Sequence, residues 1–208
     1  MAEVSGEAMP EPESEDLGRY LEDTITIDWQ TPAVMTASRR LLEGVVAAED
    51  RVRVLFDFVR DEVHDVLGLE EPTVTCSASQ VLREQAGFSF AQSHLLAGLL
   101  RCAGFPAGFC YVRLADEERP GRFVLHGFNG VYWRPADGWI YLDAMGGGGA
   151  SRTEVRFGPP WSLCCVPDPD AGEGFLPFIY RRPGKRIIDL LERAPDVAAL
   201  RRNWPDAL

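Results

Sequence analysis

The chain has 208 residues, 46% hydrophobic and 10% aromatic, which is enough for one soluble domain with a sizeable buried core. Its formal charge of −11, from 32 acids against 21 bases, argues against nucleic acid as a main partner. No apolar run approaches the roughly 20 residues that span a bilayer, and residues 1–16 lack the basic and apolar regions of a signal peptide, so no membrane partner and a cytoplasmic location are expected.

The acid is unevenly placed. Residues 1–16 hold six acids and no Lys or Arg, which predicts a disordered leader over 1–17. Residues 31–44 then predict a helix, with Thr31 as cap, Pro32 at its first position and Gly44 at its stop. A second helix is expected over about 49–64, because Val52, Leu55, Phe56, Val59 and Val63 recur at helical spacing. A looser stretch, VLGLEEPTVT, follows. Ser77 and Gln80 fit a capping box that opens a short helix ending at Gln85. The next helix, about 89–103, is apolar on more than one face, as a central helix would be.

After Pro106 the period changes to that of strands. GFCYVRLA (108–115), RFVLHGFNGVYW (122–133) and WIYLDA (139–144) are joined by turn-forming segments and read as antiparallel hairpins. The glycines at 146–149 lack the Lys-Ser/Thr of a phosphate loop and read as a flexible loop. One amphipathic helix is expected over about 184–201. Helices first and an antiparallel sheet after them indicate an α+β domain, with a core over 18–160 and a C-terminal extension over 161–208 packed on it.

The five cysteines, at 76, 102, 110, 164 and 165, include no C-x-x-C pair. Their spacing matches neither a zinc motif nor a redox dithiol, and reduced, mostly buried thiols are expected. Three other positions could carry chemistry. Ser89 begins the central helix, where free amides and the dipole favour an anion. His126 lies mid-strand, and Asp143 lies near the end of the next strand. Adjacent strands would let Asp143 hold one nitrogen of His126 and leave the other facing the helix start, the arrangement of nucleophile, base and orienting acid. Taken singly, Ser89 reads as a helix cap, His126 as a core histidine and Asp143 as a turn residue. His94 is about 140° round the helix from Ser89 and reads as a packing residue, and His64 as a helix-end or surface residue.

From residue 52 to about 160 the chain resembles the transglutaminase-like superfamily, most closely its bacterial transglutaminase-like cysteine proteases. The stretches that carry this are VLFDFVRDEV, CSASQVLREQAGFSFAQSHLLAGLLRCAGFPAGFCYVRL, LHGFNGVYW and GWIYLDA. The resemblance implies a papain-like fold and a triad of helix-start cysteine, strand histidine and following-strand aspartate. His126 and Asp143 match their positions, and Ser89 falls on the cysteine's. It implies acyl transfer from an amide or peptide carbonyl to an amine or to water, with the residue 89 amide in the oxyanion hole and no metal or organic cofactor. Partners would be a peptide, an amide or an amine.

Serine is a poor replacement for the thiol, whose pKa near 8.5 a helix start and an imidazolium can lower. None of the five cysteines is evidently placed to replace it, and Cys102 lies about 20 Å along the helix. The serine is consistent with an inactivated Cys-to-Ser form. It is also consistent with a natural pseudoenzyme that binds a peptide or partner in the old cleft, or with a rare serine enzyme. Trp161, Phe175, Phe178 and Tyr180 are a working expectation for residues that cover the cleft.

Overall fold

The computed structural model describes residues 2–4, 9–66, 73–145 and 153–208. Two short strands, β1 (Ala2–Val4) and β2 (Glu11–Pro12), precede a 3-10 turn over Leu17–Leu21. Four helices follow: α1 (Pro32–Leu41), α2 (Ala48–Glu62), α3 (Ala78–Glu84) and α4 (Ser89–Cys102). Proline at the first position of α1 presets its φ. On α3 the capping box is complete: Ser77 accepts from the Gln80 amide, and the Gln80 side chain accepts from Ser77 N–H. Helix α4 is buried from Ser89 to Arg101, the hub against which the other three helices and the sheet pack. It stops where Gly104 takes a φ of +86°, a conformation that a Cβ disfavours.

The remaining strands are β3 (Ala107–Ala115), β4 (Phe123–Trp133), β5 (Gly138–Leu142), β6 (Trp161–Leu163), β7 (Gly174–Phe175) and β8 (Phe178–Ile179). Strands β5, β4, β3 and β7 form one antiparallel sheet in that order. Strand β1 pairs antiparallel with β6, and β2 pairs parallel with β8. Alternation along the sheet separates two cores. Phe109, Tyr111, Leu125 and Val131 belong to the core shared with the helices. Cys110, Val112, Phe128 and Tyr141 belong to a smaller one with Tyr20 and Ile179. The architecture is the expected α+β, a central buried helix on an antiparallel sheet. No helix among the described residues is long and apolar enough to cross a membrane.

Three expectations need correction. Residues 9–16 are not without structure: Glu11 and Glu13 donate their amides to Pro177 and Ile179, and Pro10 accepts from the Tyr141 hydroxyl at 2.7 Å. Main-chain pairing with a distant segment orders them, together with burial of Pro10 and packing of Met9 on the smaller core. The helix expected over 184–201 is two, α5 (Lys185–Arg193) and α6 (Val197–Arg202). Pro195 has no amide to donate and disfavours helical backbone at Ala194, which is extended (φ −65°, ψ 119°). Residues 161–208 are also woven into the core rather than laid upon it. Strand β7 and Tyr180 pair with β3, and Ile187, Leu191 and Leu200 are buried in the main core. The glycine run at 146–149 and residues 67–72 of the looser stretch lie outside the described residues.

The sheet leaves one edge open where it matters. Among the described residues, β5 pairs only with Asn129–Trp133, so β4 runs on from Phe128 back to Phe123 with no described strand on that side. The last residues of the chain and the start of α4 complete the bonding there. Leu125 N–H donates to the Pro205 carbonyl, the Leu125 carbonyl accepts from Trp204 Nε1, and Gly127 N–H donates to Ser89 Oγ at 3.3 Å. Gly127 permits the approach: a Cβ there would lie 2.7 Å from the Phe90 ring.

Candidate active site

Ser89 is the first residue of α4, not its cap. Phe88 holds the cap position in extended backbone, and no side chain caps the helix. The first ladder bond runs from Gln92 N to the Phe88 carbonyl. The amides of Ser89, Phe90 and Ala91 therefore have no intrahelical acceptor, and the helix start is locally positive. Ser89 is almost fully buried, and no hydrogen bond joins its hydroxyl to His126.

His126 and Asp143 meet because of register. Asn129 pairs with Leu142, so Asp143 falls one step past the last pair, on the same face as His126 and diagonal to it. His126 Nε2 donates to Asp143 Oδ2 at 2.9 Å, and both side chains are buried. Asp143 Oδ2 also accepts from Cys164 N at 2.9 Å, and Oδ1 accepts from Met145 N at 3.2 Å. Burial alone would depress the imidazole's pKa. The carboxylate's charge and hydrogen bond outweigh it and hold His126 above its ordinary value. Burial would likewise raise Asp143, but the imidazole and the Cys164 amide hold it below the ordinary carboxylate value. Both shifts favour an imidazolium–carboxylate pair.

The structure adds two residues that the sequence reading set aside. The chain bends at Cys164, just past β6, and brings Cys164 Sγ to 3.3 Å from His126 Nε2. Cys165 Sγ lies 3.0 Å from Cys164 Sγ. Their mutual hydrogen bond splits the two thiols: Cys164 is pushed up, by that bond first and then by burial. Cys165 is drawn below an ordinary thiol, by the same bond and, despite burial, by His126. The spacing of the cysteines matched no site, yet the fold brings two of them to the imidazole. The only local signal was the Cys-Cys doublet itself, since Cys164 lies 21 positions after Asp143, beyond the glycine run. Nε2 of His126, a carboxylate oxygen of Asp143 and Sγ of Cys164 lie within 4.8 Å of one another, close enough to share a metal ion.

Ser89, His126 and Cys165 line one cavity of about 300 Å³. Its apolar wall includes Phe88, Leu125, Met145 and Trp204, and Asp116, Arg119 and Arg201 bring charge to it. Trp204 stacks on Phe90 and meets Phe88 edge-on, with ring centroids 5.1 and 4.8 Å apart. The aromatics expected over the cleft are elsewhere. Trp161 packs on Tyr141, Phe175 on Phe128 and Phe178 on Tyr180, and none of these lines the cavity. Arg201 and Trp204, at the end of the chain, supply the cover in their place. His94 is a packing residue: it is fully buried, its one polar contact is the Cys76 carbonyl at 2.8 Å, and burial lowers its pKa to about 4. His64 is exposed just beyond α2.

The chain matches the transglutaminase-like superfamily over residues 36–144. Among solved structures it is similar to a candidate cysteine protease from Cytophaga hutchinsonii, at 20% identity and a TM-score of 0.50, over 63% of this chain and 42% of that one. It is also similar to the periplasmic domain of TgpA from Pseudomonas aeruginosa, in a structure bound to ethylmercury. There the identity is 18% and the TM-score 0.45, over 62% of this chain and 48% of that one. The chain thus spans less than half the length of either structure, and the likeness is one of fold. No curated protein is similar enough in sequence to count as a match.

Proposed function

We propose an acyl-transfer site for this chain, which belongs to the transglutaminase-like superfamily, with residue 89 in the nucleophile's place, His126 as base and Asp143 as the acid that orients it. The observation that carries this reading is the buried His126–Asp143 pair, whose imidazole shares a cavity with the first residue of a buried helix. As cysteine, residue 89 would add through sulfur to an amide or peptide carbonyl. The oxyanion would be met by the residue 89 amide at the helix start. The ring nitrogen of His126 not bonded to Asp143 would take the thiol proton and pass it to the departing amine. Water or a second amine would then release the acyl group. With oxygen at this place, turnover falls by several powers of ten or vanishes, because a hydroxyl ionises far above a thiol's pKa of about 8.5. The chain as written is then an inactivated Cys-to-Ser form.

A second reading, a pseudoenzyme that holds a peptide or partner in the cavity, is favoured by one observation: the hydroxyl of Ser89 is bonded to Gly127 N–H and not to His126. The Ser89→Cys variant separates the two. Both forms are treated with an electrophilic thiol probe and mapped by mass spectrometry, and assayed with an amine donor and a peptide amide substrate. The acyl-transfer reading expects labelling at residue 89 and turnover, both lost on His126→Ala. A folded Ser89→Cys variant that gains neither overturns it and leaves the binding module.

A further inference from the structure

Adjacent residues on an extended strand point to opposite faces. Cys164 and Cys165 depart from this, because the bend at Cys164 brings their sulfurs 3.0 Å apart on one side of the chain. The side they share is that of His126 Nε2, 3.3 Å from Cys164 Sγ, and of Asp143 Oδ2, 2.9 Å from the same nitrogen. An imidazole, a carboxylate and the Cys164 thiol thus converge from β4, the end of β5 and the segment after β6, with the Cys165 thiol against that of Cys164. Cys165 opens the cluster to the cavity.

We propose that Cys164, Cys165, His126 and Asp143 form a binding site for a borderline-soft divalent cation of the Zn²⁺ class. The donor set decides the class: thiolate and imidazole select zinc-like ions, whereas magnesium and calcium take oxygen ligands. Size agrees. With Zn–S near 2.3 Å and Zn–N and Zn–O near 2.0–2.2 Å, a tetrahedral site has edges of about 3.8 Å between sulfurs, about 3.6 Å from sulfur to nitrogen and about 3.4 Å from nitrogen to oxygen. The corresponding distances here are 3.0, 3.3 and 2.9 Å, and the donors of His126, Asp143 and Cys164 all lie within 4.8 Å of one another; Cys165 stands outside that trio and completes the site by turning its side chain toward the ion. The surrounding contacts already hold the ligands in place. Cys164 N and Met145 N donate to Asp143, and the Thr153 hydroxyl donates to the Asp143 carbonyl at 2.6 Å.

Binding releases both thiol protons and vacates Nε2, leaving the ring proton on Nδ1. His126 then has no free nitrogen with which to take a proton, so a zinc-loaded chain is silent as a general base whatever stands at residue 89. The site itself rests on the four donors and not on the acyl-transfer reading.

The test uses the full chain, reduced and stripped with a chelator, and titrated with Co²⁺. The proposal expects a 1:1 complex with thiolate-to-cobalt charge-transfer absorption and the visible bands of a tetrahedral ion, bleached by Zn²⁺. No charge-transfer band from the folded chain at excess Co²⁺ overturns it. So does a band that persists in the Cys164→Ser, Cys165→Ser double variant, or a complex that His126→Ala leaves equally tight. A second measurement needs no variant: Zn²⁺ should slow alkylation of Cys164 and Cys165 by about tenfold or more while leaving Cys102 unaffected. Equal rates with and without Zn²⁺ overturn the proposal.

Discussion

Replacing Asp143 with asparagine tests the electrostatics of the site without changing its shape. Asp143 is 1% exposed and accepts three hydrogen bonds, from His126 Nε2, Cys164 N and Met145 N. An asparagine keeps one carbonyl oxygen but turns an NH₂ group toward one of these donors. One buried donor is left unsatisfied, at about 1–3 kcal/mol, and the charge-assisted bond to His126, about 1.5–3 kcal/mol, falls to an ordinary one of about 1 kcal/mol. Asp143→Asn should therefore destabilise the fold by about 2–5 kcal/mol while His126 is protonated. The pH dependence follows from the two shifts. His126 is raised, so its contribution is complete below its unfolded pKa of about 6.5 and is lost as pH rises through the folded value. Asp143 is lowered, so its contribution is present above about 3.9 and is lost as pH falls through its folded value. The penalty is thus largest between about pH 4 and 6.5. It shrinks on the alkaline side by about 1.4 kcal/mol for each pH unit by which His126 is displaced. Urea titrations followed by the fluorescence of the five tryptophans, at about pH 5.5 and pH 8.5, measure the penalty. An NMR titration of His126 measures the displacement independently. Equal penalties at the two pH values, or a His126 displaced downward, would refute the reasoning.

Gly127→Ala should cost about 1–3 kcal/mol, since its Cβ would meet Phe90 at 2.7 Å and Phe90 is itself held by Trp204 and Tyr111; a urea midpoint unchanged from the parent would mean that α4 is not seated tightly on β4. Trp204→Ala removes a cavity wall and the bond to the Leu125 carbonyl, for an expected loss of about 2–4 kcal/mol by the same measurement. In a Ser89→Cys background the same change should speed labelling at residue 89 by opening the cavity. Arg101→Met strips the donors from the carbonyls of Glu22, Ala107 and Arg181, and thermal unfolding should report a loss of about 2–4 kcal/mol.

What the sequence made legible was local. Pro32 and the Ser77–Gln80 capping box announce helices because each acts within one turn of itself, and both helices start where those residues stand. The apolar run after Gly87 names its helix as central because only a helix buried all round tolerates that composition, and α4 is so buried. Where the reading failed locally, a residue had been passed over: Pro195 lies inside the stretch read as one helix. Elsewhere it failed for want of long-range information. The acidic leader offers little apolar surface, yet residues 9–16 are tied down in part by the carbonyls of Pro177 and Ile179, which no composition records. Ser89 was placed at the helix start but taken for its cap, and the one-residue difference turns its hydroxyl to Gly127 instead of to its own helix.

The cysteines sharpen the point, because they bear on what a serine at residue 89 means. Scanned as spacing, five thiols without C-x-x-C imply no site, since a spacing motif presumes that the ligands are neighbours along the chain. Here the candidate donors become neighbours through three separate events: the β4–β5 register that sets Asp143 beside His126, the end of β5 that frees the carboxylate to accept from Cys164, and the bend after β6 that turns two sulfurs to one side. The imidazole joins the two halves of the site. It shares a cavity with an oxygen on α4, and its Asp143-bonded nitrogen lies beside sulfur. On the proposed acyl-transfer reading, an oxygen at residue 89 therefore does not remove thiol chemistry from the site. It separates the thiol from the helix start, and a proton relay through His126 and a cation held by Nε2 then become mutually exclusive uses of one ring.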